Sequence, residues 1–447
     1  MILILFLSLL HTPCDGSLDQ AIRARDTTST ISRIRELVEE HGVAAFSTVA
    51  DAVADVESVA DGQWYVIDRH RVFITSVKVF SRVKDQGLEK EIARVLKNHN
   101  RWPARVFALE VSLQRTSIDS VQLALSAIDD VAPQVVAVAA RILAWSQNLL
   151  AMEPLISAMS RWELASTRDK VVRGGREELQ KRSGDRAWLA CRDALERLTG
   201  ISLHAADQYK NWISAHRDQI DPSKVDLTKP RERVTGTGLF GLDITGRNIV
   251  FVIDISGSML ATDPPSEEEM QRIQRTTGIG DSIEEKIRHL MEGRRRIKRA
   301  RTELRRAIES LGEDKNFSII SFSSSVQPWS DVLVPATSEN RKSAIQFIER
   351  FQAHGITVTD EALFEALSDA TVDTIYLITD GAPTHIGSEG DQMPVDAASL
   401  MKRILEDTRA INHLRGVRIF TLGFIGAEEE FLETLAKDNH GRYVRIR

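Results

Sequence analysis

Cysteine is almost missing from this chain of 447 residues: Cys14 and Cys191 are its only thiols, which excludes a disulfide framework and a cysteine-built metal centre. No apolar run approaches the roughly twenty residues that a membrane-spanning helix needs. No broad basic face is offered to nucleic acid, because 58 Lys and Arg are mixed along the chain with 64 Asp and Glu, for a formal net charge of −6. The signatures of common catalytic sites are also missing. We find no nucleophile elbow, no P-loop, no His-Glu-x-x-His helix, and no acid and base paired in one apolar cleft.

A formal G-x-G-x-x-G does occur, from Gly236 through Gly238 to Gly241. A dinucleotide loop must leave a strand and open a helix, whereas this one precedes strands, so it reads as an ordinary loop.

What is present is ordinary globular material, 42% hydrophobic and 27% charged, enough for two or three packed domains. The first residues, MILILFLSLLHTPC, resemble the core of a signal peptide, with small residues at Cys14 and Gly16 suiting a cut near position 16. No Lys or Arg stands before Arg23, so the usual positive start is absent; a buried N-terminal strand or a misassigned start is the alternative. Residues 1–16 are therefore expected to direct export to the periplasm, cell surface or medium, with a cytoplasmic address as the alternative. Lipidation of Cys14 is disfavoured by Thr12 and Pro13 ahead of it.

Residues 17–217 show helical periodicity and are expected to form an all-α domain, its pattern clearest over 69–217. Val83, Leu113 and Leu143 recur at one spacing, as do Val95, Leu125 and Leu155, and Pro103 and Pro133 share a phase of the same register. Three stacked helix pairs of a solenoid are implied, loosely resembling HEAT repeats, with an irregular helical bundle as the alternative. The segment WLACRDALERLTG, which stops at Gly200, and a closing helix around Trp212 suit a terminal cap. Residues 218–238 are polar, carry Pro222 and Pro230, and read as a linker.

From residue 239 onward, apolar strands alternate with amphipathic helices. Strands are expected at NIVFVID, NFSIISF, TIYLITD, VRIFTLGF and RYVRI, with helices near 294–311, 339–352, 359–370, 396–414 and 427–437. Continuous apolar strands between helices imply an α/β doubly wound, mostly parallel, Rossmann-like sheet covered on both faces, with ligands at the carboxyl ends of its strands. Three loops at that edge, DISGSM, HGITVTD and ITDGAP, offer Asp254, Ser256, Ser258, Thr357 and Asp380. These are hard oxygen donors, suited to octahedral Mg²⁺ or Mn²⁺ and poorly suited to zinc or copper.

The D-I-S-G-S at 254–258, G-I-T at 355–357 and T-D-G at 379–381, in this order, resemble the metal-ion-dependent adhesion site of a von Willebrand factor A domain over about residues 239–447. Ile356 stands where relatives often carry a second glycine. The resemblance implies that Ser256, Ser258 and Thr357 bind the ion through hydroxyls, and that Asp254 and Asp380 act directly or through water. It further implies an open position for an Asp or Glu carboxylate of a protein partner, and movement of the last helix, around 427–437, as a route from occupancy to shape. A non-enzymatic, adhesion-type binding protein is expected, with the helical repeats as scaffold. The alternatives are an accessory or assembly subunit beside a separate ATPase, as in metal-chelatase complexes, and a metal-dependent hydrolase, although hydrolase Mg²⁺ sites usually carry more carboxylates and a positioned base. A degenerate domain that keeps the motif without using it also fits.

Two further features are read from the residues alone. His354 and His385 flank the second and third motif loops and read as exposed loop histidines, while Ser323, Ser324 and Ser325 read as a polar loop on the same edge. Residues 261–293 intervene between the SGSM turn and the basic helix RRRIKRARTELRRAIESL. This insertion reads either as a solvated acidic segment with a helix, or as a closing device that places Glu267, Glu268 or Glu269 in the open ligand position.

Overall fold

Pro103 and Pro133 each stand in the first turn of a helix, where a missing backbone N–H costs nothing. The computed structural model describes residues 16–58, 66–85, 87–167, 175–225, 238–276, 282–384 and 396–446. Residues 1–15 of the expected signal peptide, with Cys14, and His385 lie outside the described residues. Two units divide the chain, Met1–Asp226 and Leu227–Arg447.

The described residues of the first unit hold helices and turns: α1 (Gly16–Arg23), α2 (Thr27–His41), α3 (Phe46–Ser58), α4 (Val66–Ser81), α5 (Leu88–Asn98), α6 (Trp102–Leu113), α7 (Ser120–Ala127), α8 (Pro133–Trp145), α9 (Met152–Thr167), α10 (Gly175–Thr199) and α11 (Ala206–His216). Helices α4, α6, α8 and α10 pack neighbour on neighbour, while α5, α7 and α9 each return against the helix that follows. Helix pairs recur, but their starts stand 31 to 36 residues apart between α4, α6 and α8 and 32 apart between α5, α7 and α9 rather than at the expected 30, and burial does not follow that spacing either. Val95, Leu143 and Leu155 are buried, whereas Leu113 is 41% exposed. The packed centre includes the aromatic group Phe46, Phe73, Phe80 and Phe107. Between successive pairs lies a nearly buried ion pair: Arg105 at the start of α6 donates Nε and Nη2 to the two carboxylate oxygens of Asp130, at 2.7 and 2.8 Å. Among the described residues no helix is long and apolar enough to cross a membrane.

The second unit begins with a small antiparallel hairpin, β1 (Gly238–Leu239) and β2 (Leu242–Asp243). Phe240 and Gly241 turn it with φ of 48° and 88°, so two glycines of the G-x-G-x-x-G serve a hairpin. At the ends of the expected linker, Pro222–Lys224 form a 3₁₀ turn capped by Asp221 and Gly238 is in a strand; residues 226–237 lie outside the described residues.

The main sheet follows: β3 (Asn248–Asp254), α12 (Glu267–Thr276), α13 (Ile283–Gly293), α14 (Arg296–Glu309), β4 (Asn316–Phe322), β5 (Val326–Pro328), β6 (Val334–Pro335), α15 (Ser338–Glu349), α16 (Thr359–Ser368), β7 (Thr374–Thr379), α17 (Ala397–Asn412), β8 (Arg418–Gly423), α18 (Glu429–Asp438) and β9 (Tyr443–Arg445). Its order is β5-β4-β3-β7-β8-β9, with β6 also on β4; the five strands from β4 to β9 in this order are parallel, and only β5 and β6 run antiparallel. All seven residues of β3 are buried because both faces are covered. Ile249, Phe251 and Ile253 join a core with Leu304 and Ile308 of α14, and Val250 and Val252 join one with Leu363 of α16 and Leu400 of α17. The chain passes from β3 to β4 on one side and later to β7 on the other, which opens a crevice at the carboxyl end of β3.

Candidate metal centre

Asp254 is the last residue of β3, wholly buried at that crevice. Its Oδ1 accepts the Ser256 N–H at 2.7 Å and its Oδ2 accepts the Thr379 hydroxyl, from the end of β7, at 2.6 Å. Burial pushes the Asp254 carboxyl up to about 6; the bonds from Thr379 and Ser256 oppose that rise, and the charge of Asp380 adds to it.

Beyond Asp254 the chain enters a 3₁₀ turn, Gly257–Leu260, which brings two hydroxyls together. Ser256 Oγ and Ser258 Oγ are 2.9 Å apart, and Ser258 Oγ donates to Asp380 Oδ1 at 2.6 Å. With its one proton given to Asp380, Ser258 accepts from Ser256 and keeps one lone pair for a cation.

The second motif loop is tied to the first through backbone. Gly257 N–H donates to the Gly355 carbonyl at 3.0 Å, and His354 N–H to that of Ile255 at 2.9 Å. Gly355 has a φ of 74°, and a Cβ there would stand 2.4 Å from Ser324 Oγ, so the loop needs a residue without a side chain at this point. Ser324 in turn accepts the Ile356 N–H at 3.2 Å, and the Ser323 carbonyl accepts the Val358 N–H at 3.1 Å. The serine loop after β4 therefore supports the Thr357 loop. Thr357 itself is buried and held from the other side, its N–H donating to Thr384 Oγ1 at 2.7 Å.

Gly381 fixes how these parts meet. A Cβ built on it would lie 3.6 Å from Ser258 Oγ and 3.7 Å from Thr357 Oγ1, so the missing side chain leaves a gap bordered by both hydroxyls. All five residues singled out in the sequence are thus brought to one edge. Their chemistry fits a hard divalent cation: three hydroxyls, two carboxylates and a gap between donors. Among the described residues no three His, Cys, Asp or Glu side chains come together as a metal cage. His354 is exposed, its Nδ1 2.7 Å from the Gln352 carbonyl of its own loop.

Residues that the sequence did not single out complete the edge. Arg296, the first residue of α14, donates Nη1 to Asp380 Oδ2 at 2.8 Å, Nε to Asp263 Oδ1 at 2.9 Å and Nη2 to the Ile425 carbonyl at 2.6 Å. Burial works against its charge, but the bonds to Asp380 and Asp263 outweigh burial and hold the guanidinium above its ordinary value. Asp263 is buried in the insertion and also receives Arg299. Around it the two ends of the insertion close into a neck: Arg296 N–H donates to the Ala261 carbonyl at 3.0 Å, and Asp263 N–H to that of Arg294 at 3.3 Å.

This corrects one expectation for the insertion. Glu269 does not extend to the open position; it accepts Arg294 Nη1 at 2.8 Å and caps its own helix through the Ser266 N–H, also at 2.8 Å, while Glu267 and Glu268 are exposed on α12. The segment also carries two helices rather than one.

Residues 290–445 match the family model described as the von Willebrand factor type A domain. The match includes Thr357 and Asp380 and begins after the Asp254–Ser258 loop. Inter-alpha-trypsin inhibitor heavy chain H4 of Bos taurus is 27% identical over 213 residues, 45% of this chain and 18% of that protein. Heavy chain H3 of Mus musculus is 29% identical over 220 residues, 46% and 20% respectively. The chain spans about a fifth of the length of these relatives. Among solved structures, a von Willebrand factor type A protein from Catenulispora acidiphila aligns at 18% identity with a TM-score of 0.30, covering 45% of this chain and 38% of that one.

Proposed function

From a chain whose C-terminal unit is a von Willebrand factor type A domain, we propose a non-enzymatic protein-binding role in which this unit holds Mg²⁺ or Mn²⁺ and, through it, an Asp or Glu of a protein partner. The observation that carries this reading is the Ser258–Asp380 hydrogen bond beside the gap at Gly381. Ser256, Ser258 and Thr357 are the hydroxyl ligands, and Asp254 and Asp380 supply the negative charge, directly or through water. When bound, the ion supplies an electrophilic centre that a partner's carboxylate can complete.

The chain's own residues do the rest. Asp254 orients the Ser256 backbone and the Thr379 hydroxyl, Asp380 takes the Ser258 proton, and the Ser324 loop keeps Thr357 at the edge. The helical unit acts as a HEAT-type scaffold, a reading supported by its recurring helix pairs, and the apolar N-terminus supports an exported protein. Pull-down from the native host tests the proposal. Capture is expected with Mg²⁺, lost in EDTA and lost in Asp254→Ala that still folds; capture indifferent to EDTA would sink it.

A further inference from the structure

One side chain links the insertion to a carboxylate of the metal edge: Arg296 bridges Asp263 in the neck of the insertion to Asp380 after β7. All three are largely shielded, with side-chain exposures of 14% for Arg296 and 0% for each aspartate. Charges this secluded interact strongly, because water screens them little.

Both oxygens of Asp380 are committed in this arrangement. Oδ1 accepts from Ser258, and Oδ2 accepts from a guanidinium that stays charged. The carboxylate that should attract a dication is therefore already neutralised by a cation of the chain. Asp263 draws on the same guanidinium from the insertion side and offsets part of its charge, while also pairing with Arg299. Asp254 is left as the one carboxylate of the site with no arginine partner among the described ion pairs.

Resting on the cation-binding reading above, we propose that Arg296 is a built-in counter-cation of this site: it lowers divalent-cation affinity, and the insertion sets how strongly it does so by holding the guanidinium through Asp263. The physical basis is repulsion between a fixed positive charge and an incoming dication that share Asp380. The third arm, to the Ile425 carbonyl ahead of α18, ties the same guanidinium to the loop after β8. A partner that shifted the insertion would draw Arg296 from Asp380 and raise the affinity of the site.

The test is Mn²⁺ titration of the full chain, read by loss of the free-ion paramagnetic resonance signal and by calorimetry. Arg296→Gln keeps a donor for Asp380 and removes the charge; it should bind Mn²⁺ more tightly by about tenfold or more. Arg296→Lys keeps the charge and should stay near the wild type. Asp263→Asn removes a negative charge from the network and should weaken binding, the opposite sign, and a melting curve shows which variants are folded. Wild-type binding with Arg296→Gln equal or weaker overturns the counter-cation and leaves the cation site standing. Should Arg296→Gln not fold, Asp263→Asn binding as well as the wild type or better overturns it instead. Absence of Mn²⁺ binding in wild type and in folded Arg296→Gln overturns both, and binding in Arg296→Gln alone supports the brake.

Discussion

Ser258 donates its hydroxyl proton to Asp380 across 122 residues of sequence, at 2.6 Å. One residue lies in the turn after β3, the other follows β7, and these strands are adjacent in the sheet. The bond therefore reports the meeting of two motif loops that only the parallel pairing brings together. It also sets the polarity of the hydroxyl: with the proton given to Asp380, Ser258 accepts from Ser256 in their 2.9 Å contact and keeps one lone pair for a cation.

Ser258→Ala should consequently lose more than one donor. It removes a hydroxyl from the gap and leaves Asp380 to Arg296 alone. Mg²⁺ affinity is expected to fall roughly tenfold to a hundredfold, the range typical for lost support around a metal, while the melting temperature stays within a few degrees because the side chain lies in a surface turn. Calorimetric titration beside a melting curve checks both; unchanged affinity would remove Ser258 from the site.

The buried Asp254 gives a pH dependence whose sign can be worked out. With its carboxyl raised from 3.8 to about 6, the folded chain holds a proton that the unfolded chain has already lost between these values. Stability from this group is thus full at low pH and is lost as pH rises through about 6, by on the order of 3 kcal/mol. In EDTA, Asp254→Asn, which lacks the charge, should be the more stable protein at pH 7, with its advantage shrinking towards pH 4. Denaturant unfolding of the two at pH 4.5, 6 and 7.5 checks this, and an advantage that does not change with pH contradicts it.

Most of this sheet was legible in the sequence because continuous apolar runs have one cheap fate, burial on both faces. NIVFVID, NFSIISF and TIYLITD became β3, β4 and β7 within a residue of their expected ends. The edge strands were not legible: Val326–Pro328 and Val334–Pro335 are two or three residues long, partly exposed, and show no alternation. The β1–β2 hairpin was hidden by glycines that suggested a loop, and its turn depends on a positive φ at Phe240 that composition does not reveal. At the metal edge the five donors were readable as motifs, but Arg296 was not. In the stretch RRRIKRAR, Arg294, Arg296 and Arg299 turn inward while Arg295 and Lys298 stay exposed; composition does not tell them apart, and only the fold supplies the partners of Arg296, 33 and 84 residues away.

In the helical unit, Asp130 joins two jobs. It pairs with Arg105 through both oxygens, and its Oδ1 also accepts the Ala132 N–H at 2.7 Å, ahead of α8. Asp130→Ala would strand a guanidinium that is 8% exposed, a loss of about 3–5 kcal/mol. Urea unfolding followed by far-ultraviolet circular dichroism should show an earlier helical transition, and Mg²⁺ binding by the other unit serves as the internal control. A transition at the wild-type urea concentration would mean that this pair adds nothing.

Gly381→Ala separates the shape of the metal edge from its charges. The new methyl group would lie 3.6 Å from Ser258 Oγ and 3.7 Å from Thr357 Oγ1, ordinary contact distances, so the fold has no steric reason to change. No donor is removed and no charge is altered. Yet the methyl occupies the space that both hydroxyls border, and an apolar group there displaces whatever those oxygens would share. Folding and melting temperature are expected to stay close to the wild type, while Mn²⁺ binding is lost. A variant that binds Mn²⁺ normally would show that the ion does not sit between Ser258 and Thr357, and the site would then have to be sought on the Asp254 side of the turn.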